Sequence, residues 1–347
     1  MPELRQDPAT KEWIIIATER TKRPDDFQRK DVVRSQPLFE ETCPFCPGHE
    51  ADTPSEVLAR RDAGAANGPG WKVRVIPNKF PALVPRGSTQ RRVHQDFFHE
   101  MDGLGYHEVI IETPLHNRFV HLMDRDEVEA ILLAYRDRFL TLRADRHIKL
   151  ILIFKNHGEG AGTSLAHPHS QLVATPVVPA YLRRKYEEAV RYYDVTGRCV
   201  YCDMAEAERR AAERIILETE HFLVFHPFAS QSPFETWVLP KRHRPSFGQV
   251  TLEEISDLAC VLRNVLGGLA QLLNDPDYNY VLHSAPVDGE NEDYYLWHLQ
   301  ILPRLTHIAG FEIGSGMRIN IARPEDTARF IREKMLSSRD PRSTLSQ

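Results

Sequence analysis

The sequence predicts an α+β fold made of two repeats, each a mostly antiparallel sheet with one long helix. Three observations carry that prediction. Two C-x-x-C pairs, Cys43/Cys46 and Cys199/Cys202, stand near the start of each half. Two capping-box patterns, Asp124 to Glu127 and Thr251 to Glu254, each precede apolar residues at helical spacing. Two His-x-Gln stretches, at His169 and His298, close the pattern. The offsets agree: His116 to His243 and Asp124 to Thr251 are both 127 residues, and His169 to His298 is 129. The cysteine pairs lie 156 apart, a surplus that a Gly- and Ala-rich insertion at residues 62–70 is expected to supply. The expected division is a catalytic half at 1–190, a second half at 191–335 and a disordered tail at 336–347.

The chain of 347 residues is long enough for two cores. Its 41% hydrophobic and 27% charged residues are ordinary for a globular protein. A net charge of −5 argues against a nucleic-acid or membrane-surface partner. There is no apolar signal core at the N-terminus and no run of membrane-spanning length, so a cytoplasmic protein is expected.

The elements follow in order. Residues 13–17 read as a strand, followed by a basic turn holding Arg20, Lys22 and Arg23. Cys43-Pro-Phe-Cys46-Pro-Gly reads as a loop knuckle. Residues 71–80 and 108–112 alternate or run apolar as strands. After Asp124, the residues Val128, Ile131, Leu132, Tyr135 and Phe139 form one helix face. Residues 149–154 read as a buried strand, and a turn with Gly158, Gly160 and Gly162 leads to a second strand over 165–175. A charged helix at 180–194 bridges to the second half. There residues 234–243 match 107–116, and Ile255, Leu258, Leu262, Leu266 and Leu269 repeat the helix.

The candidate site lies at residues 167–171, His-Pro-His-Ser-Gln. Pro168 has no amide hydrogen and turns its neighbour away from helical angles, so this stretch is extended. Period-two alternation then puts His167, His169 and Gln171 on one face. Imidazole attacks phosphorus readily and splits one transfer into two displacements, which suits His169. Gln171 can donate to a phosphoryl oxygen without offering water a general base. Asn156, Gly162 and Ser164 lie in or beside a turn whose amides can cradle phosphate. Arg20, Lys22 and Arg23 can neutralise a diphosphate, although a basic turn alone is more often a solvated surface.

The four paired cysteines read as metal ligands rather than disulfides or redox pairs, because the motif recurs in matching repeats. The first half offers Cys43, Cys46, His116 and His167 to a tetrahedral ion. The second offers Cys199, Cys202 and His243. Its fourth ligand is either His298 from a shifted position or a residue elsewhere, since Leu296 stands in the column of His167. Zinc is expected at both sites, with iron an alternative at the second.

At these residues the chain resembles the galactose-1-phosphate uridylyltransferase family of the histidine-triad superfamily. The resemblance covers nearly the whole chain: Trp13 with residues 21–24, Cys43-x-x-Cys46, residues 73–78, residues 113–116, residues 154–156 and His167-Pro-His-Ser-Gln171. It implies histidine-triad-like repeats, a covalent nucleotidyl group on His169, and metal at Cys43, Cys46, His116 and His167. It also implies nucleotide contacts around Arg23, Asn78, Asn156, Ser164 and Gln171, hexose recognition near Glu312, and a homodimer. The expected substrates are a nucleotide sugar and a hexose 1-phosphate, with uridylyl transfer from UDP-glucose to galactose 1-phosphate as the leading reaction. There are departures. Ser170 replaces a glycine common in the family, and Arg318 stands where a hexose-recognising glutamine is usual. Residues 274–280 and 310–316 resemble a plant relative, ADP-glucose phosphorylase, which makes adenylyl transfer the alternative. A zinc-containing nucleotide-binding module without catalysis is the rival from another class.

Overall fold

In the computed structural model, which describes residues 1–18, 24–28, 36–289 and 292–337, the apolar runs form strands and the capped segments form helices. The first half holds β1 (Glu3–Gln6), β2 (Trp13–Ile16), β3 (Leu58–Arg61), β4 (Trp71–Pro77), β5 (Arg92–His94), β6 (Phe98–Glu100) and β7 (Tyr106–Ile111). Helix α1 (Arg125–Leu142), β8 (Leu150–His157) and β9 (His169–Thr175) follow. After α2 (Ala180–Thr196) and α3 (Val200–Ala211) come β10 (Ile215–Glu218), β11 (Phe222–Phe225), β12 (Thr236–Pro240) and α4 (Leu252–Leu273). The chain continues with β13 (Tyr278–His283), β14 (His298–Pro303), α5 (Gly310–Ser315), β15 (Ile319–Asn320) and α6 (Pro324–Ser337).

The duplication is visible in the strand order. One ten-stranded sheet runs β10-β11-β12-β14-β13-β8-β9-β7-β4-β3. Read from its two ends, the same five-strand motif meets itself at β13 and β8. That seam is antiparallel, with Asn279 opposite Asn156 and Tyr280 opposite Lys155. A small sheet ties the termini together: β1 pairs with β2, and β15 lies parallel to β2.

Helices α1 and α4 cover one face of the large sheet. Both capping boxes close as expected. The Asp124 amide donates to Glu127 (2.6 Å), and the Thr251 amide donates to Glu254 (2.8 Å). All ten apolar helix residues named from the periodicity lie in the shared core. At roughly 1.5–3 kcal/mol per fully buried side chain, this stripe contributes substantially to the stability of the fold.

The structure corrects part of the repeat alignment. The surplus of the first half lies mainly between β4 and β7, at residues 78–105 against 226–235, where the exposed hairpin of β5 and β6 sits. The insertion at 62–70 contributes less. The division expected at 190/191 falls inside α2, whose Leu182, Tyr186 and Ala189 pack with Cys199, Tyr201 and Trp237 of the second half. Residues 338–347 lie outside the described residues. Among the described residues no helix is long and apolar enough to cross a membrane.

Candidate active site and metal centres

Strand β9 carries the site because its two faces meet different surroundings. Its pairing sets Gln171 level with Phe154 of β8 and Val109 of β7. By alternation His169 and Gln171 share the face away from α1, together with Asn156. His169 is 7% exposed. Its Nδ1 lies 2.8 Å from the His167 carbonyl, which only accepts, so Nδ1 carries the proton and Nε2 keeps its lone pair. Burial holds the imidazole below its ordinary pKa, favouring the neutral ring.

Gln171 is oriented by His107, a residue that sequence reasoning used only for alignment. The Ala82 amide donates to His107 Nδ1 (3.1 Å), so Nε2 carries the ring proton and donates to Gln171 Oε1 at 2.8 Å. The Gln171 carboxamide therefore presents its NH2 outward. Asn78 joins this corner, its amide donating to the His107 carbonyl (2.8 Å). His107→Phe should slow the nucleotidyl step about 10- to 100-fold, matching roughly 1–3 kcal/mol of misplaced hydrogen bonding. Single-turnover release of sugar phosphate measures it.

The other face of β9 rests on a buried polar network. Lys155 and Glu112, each 1% exposed, form an ion pair. The Lys155 ammonium also donates to the His169 carbonyl at 3.1 Å. Tyr135 donates to the Ser170 hydroxyl (2.5 Å) and lies 2.6 Å from the Tyr280 hydroxyl. The serine that replaces glycine in the motif is thus a hydrogen-bond partner of α1.

The glycine turn differs from its expected role. The amides of Ala161, Gly162 and Thr163 donate within the turn, and that of Gly160 donates to Asp277. These four are therefore engaged and do not form the expected phosphate cradle. Gly162 has φ +87°, a left-handed conformation that favours glycine. Ser164 is exposed beside it. Glu312 caps its own short helix by accepting from the Ala309 amide (2.8 Å), and no hydrogen bond joins it to His169 or Gln171 among the described residues. Arg20, Lys22 and Arg23 lie outside the described residues.

Cys43, Cys46, His116 and His167 converge, with donor atoms all within 4.8 Å of one another. Sulfur–nitrogen separations of 3.5 to 3.7 Å match the roughly 3.5 Å edge of a tetrahedron with zinc-type bond lengths. His167 Nε2 donates to the Thr113 carbonyl (2.8 Å), which leaves Nδ1 free to ligate. Burial pushes the Cys43 thiol up to about 11 and the His167 imidazole down to about 4. A cation is the group that deprotonates such a thiol. The set fits a metal ion. The set lies between the loop at 43–46 and the entrance to β9, so an ion held there would tie the two together. Cys43→Ser should lower metal content and thermal stability more than it lowers kcat per folded molecule, which elemental analysis and a melting curve will show.

In the second half Cys199 caps α3 and Cys202 sits in its first turn, so this pair is helical rather than a loop knuckle. Cys202 is pulled down to about 5 by its contact with Cys199 and then by His243, whose Nδ1 is 3.2 Å away, while Cys199 rises. His298 does not join the trio, a correction to the expected ligand set. Its ring is stacked between Trp237 (4.8 Å) and His283 (4.8 Å), and Nδ1 binds the Leu296 carbonyl, as His169 binds that of His167. His298 thus occupies the column of His169, but α2 and Trp237 fill the face that is open in the first half.

These features define a class: a two-repeat, histidine-triad-like nucleotidyltransferase. The comparisons agree. The family model described as galactose-1-phosphate uridyl transferase, N-terminal domain, matches residues 1–179, and its C-terminal counterpart matches 182–320. The chain belongs to the galactose-1-phosphate uridylyltransferase family. It is 38% identical to an ADP-glucose phosphorylase of Arabidopsis thaliana, over 97% of this chain and 94% of the relative. It is 29% identical to a galactose-1-phosphate uridylyltransferase of Thermotoga maritima, over 96% of this chain and 98% of the relative. The crystal structure of an Arabidopsis thaliana ADP-glucose phosphorylase with bound ADP-glucose superposes with a TM-score of 0.81 at 35% identity, covering 96% and 98% of the two chains. A uridylyltransferase structure gives 0.75 at 28% identity, covering 98% and 100%.

Proposed function

We propose that this protein transfers a nucleoside monophosphate between a nucleotide sugar and a phosphate acceptor through a covalent nucleotidyl group on His169. The observation that carries the reading is the tautomer of His169, with Nδ1–H held by its own strand and Nε2 free on the site face. The Nε2 lone pair attacks the α-phosphorus of the donor. A P–N bond forms, and the bond from the α-phosphorus to the bridging oxygen breaks. Hexose 1-phosphate leaves with that electron pair. An acceptor phosphate oxygen then attacks the α-phosphorus and the P–N bond breaks, returning neutral imidazole. Gln171 donates to a phosphoryl oxygen in both displacements, Asn78, Asn156 and Ser164 surround the nucleotide, and Gly162 shapes the turn beside them while its amide stays bound to Glu159. Arg20 and Arg23 are proposed to meet its diphosphate, and Glu312 to meet the hexose of a site in a homodimer.

Zinc is proposed at Cys43, Cys46, His116 and His167, and a second metal at Cys199, Cys202 and His243, in a cytoplasmic enzyme whose first half, to about residue 190, holds the catalytic site.

The sequence ordered the donors as UDP-glucose first and ADP-glucose second. The stronger likeness to the ADP-glucose phosphorylase supports the opposite order here. With inorganic phosphate as acceptor, an adenylyl-histidine gives ADP and regenerates the enzyme. Uridylyl transfer to galactose 1-phosphate is the second reading, supported by the family itself. Steady-state rates with ADP-glucose plus phosphate and with UDP-glucose plus galactose 1-phosphate separate the two. A kcat/KM at least tenfold higher for the uridylyl pair would overturn the order proposed here.

A further inference from the structure

We infer that Asn279, a residue of the second half, is a positioning residue for the donor site of the first, because it fixes which end of the Asn156 carboxamide faces the substrate. The inference rests on the nucleotidyl-transfer reading for what that substrate is. Asn279 lies directly opposite Asn156 across the β13–β8 seam, so the two side chains share the face that carries His169 and Gln171. Asn279 Nδ2 lies 2.9 Å from the Ala161 carbonyl and 2.8 Å from Asn156 Oδ1.

The identity of these atoms is set by chemistry. A backbone carbonyl only accepts, so the Asn279 atom beside Ala161 must be the nitrogen. That same nitrogen donates to Asn156, whose facing atom must then be its oxygen. The Asn156 oxygen is therefore consumed inside the protein, and its NH2 remains to donate to a ligand. His107 does the same to Gln171 by consuming its Oε1. Two carboxamides on one face are thus both turned with their donors outward, which suits a group that only accepts, such as a phosphoryl or ribose oxygen.

A second contact extends the grip of this strand segment. Asp277 accepts from the Gly160 amide at 2.8 Å. A Cβ at Gly160 would sit 2.5 Å from that carboxylate oxygen, so any larger residue there would have to displace the Asp277 side chain. Residues 277 and 279 hold the turn and the carboxamide together. This gives the stretch at 274–280, which the catalytic reading had left without a role, a place in substrate binding. It also gives the non-catalytic half a reason to stay joined to the first by strand pairing.

The alternative is a polar cross-strand pair that merely stabilises the seam. Asn279→Asp distinguishes the two, because it keeps size and shape but can only accept. Asn156 must then turn its NH2 toward the new carboxylate and present its oxygen to the donor. Asn279→Ala leaves Asn156 free to rotate. The measurements are equilibrium titrations with AMP and UMP, KM and kcat with ADP-glucose and UDP-glucose, and the melting temperature and metal content of each variant. The expected order of nucleotide affinity is parent, then Asn279→Ala, then Asn279→Asp weakest. The Asp variant should lose about 10- to 100-fold, with the loss in KM rather than kcat and with metal content unchanged. Parental affinity in a folded Asp variant, or a loss in the Ala variant at least as large and in step with its melting temperature, would overturn the inference. If the parent turns over neither donor, the transfer reading fails by itself. The AMP and UMP titrations still decide the role of Asn279.

Discussion

Replacing His169 by glycine is expected to remove nucleotidyl transfer, with kcat falling about 10⁴-fold or more, as when a covalent nucleophile is deleted elsewhere. Among the described residues, the polar side chains that share its face cannot take its place. Gln171 is a carboxamide with its oxygen bound to His107, and Asn156 is a carboxamide bound to Asn279. The cluster of Cys43, Cys46, His116 and His167 should be undisturbed, because His169 is not one of its converging residues. Metal content and melting temperature should therefore match the parent, and the loss should appear only in rate. Residual exchange within tenfold of the parent would mean that the acceptor attacks the donor directly.

The largest loss of stability is expected from Lys155→Met. Lys155 and Glu112 are both almost wholly buried, and the ammonium also binds the His169 carbonyl. Removing one partner leaves the Glu112 carboxylate buried without its counter-charge, which costs about 3–5 kcal/mol. The double variant Lys155→Met with Glu112→Met should recover much of that, because a neutral pair of similar volume removes the unpaired charge. Urea unfolding of the two single variants and the double variant gives the coupling directly. Equal destabilisation in single and double variants would show that the hydrogen bonds from Tyr135 to Glu112 (3.3 Å) and from Lys155 to the His169 carbonyl, rather than the ion pair, hold this layer. Activity should not recover with stability in the double variant, since the hydrogen bond to the His169 carbonyl is still missing.

Much of the fold was legible because duplicated signals repeated at a nearly constant offset. The capping boxes at Asp124 and Thr251 fixed both long helices, and their apolar stripes are the observed core. The His-x-His strand and the first cysteine pair were also readable, since Pro168 and the C-x-x-C spacing are local features. The joining of the two sheets into one was not legible, because β8 and β13 pair across the whole bridge between halves. The helix at Cys199 was missed for a related reason: a C-x-x-C pair looks alike in a loop and in a first helical turn.

His298 shows how alignment can mislead. The match of His298-Leu-Gln300 to His169-Ser-Gln171 agrees with the structure as a column: each histidine opens its strand and binds the carbonyl two residues before it. Its assignment as a ligand required a shift that the strand register does not make. Orientation of side-chain amides by His107 and Asn279 was invisible from sequence, because it depends on which carbonyl or ring nitrogen stands beside them in space.

The central claim is the covalent intermediate, and mass spectrometry tests it most directly. The metal-replete protein is mixed with ADP-glucose, and separately with UDP-glucose, without any acceptor, and the peptide containing His169 is then sequenced. The account predicts one nucleotidyl group on His169, one equivalent of hexose 1-phosphate released, and an acid-labile, alkali-stable adduct that disappears when acceptor is added. An unmodified His169 in protein that still turns over the same donor would contradict it.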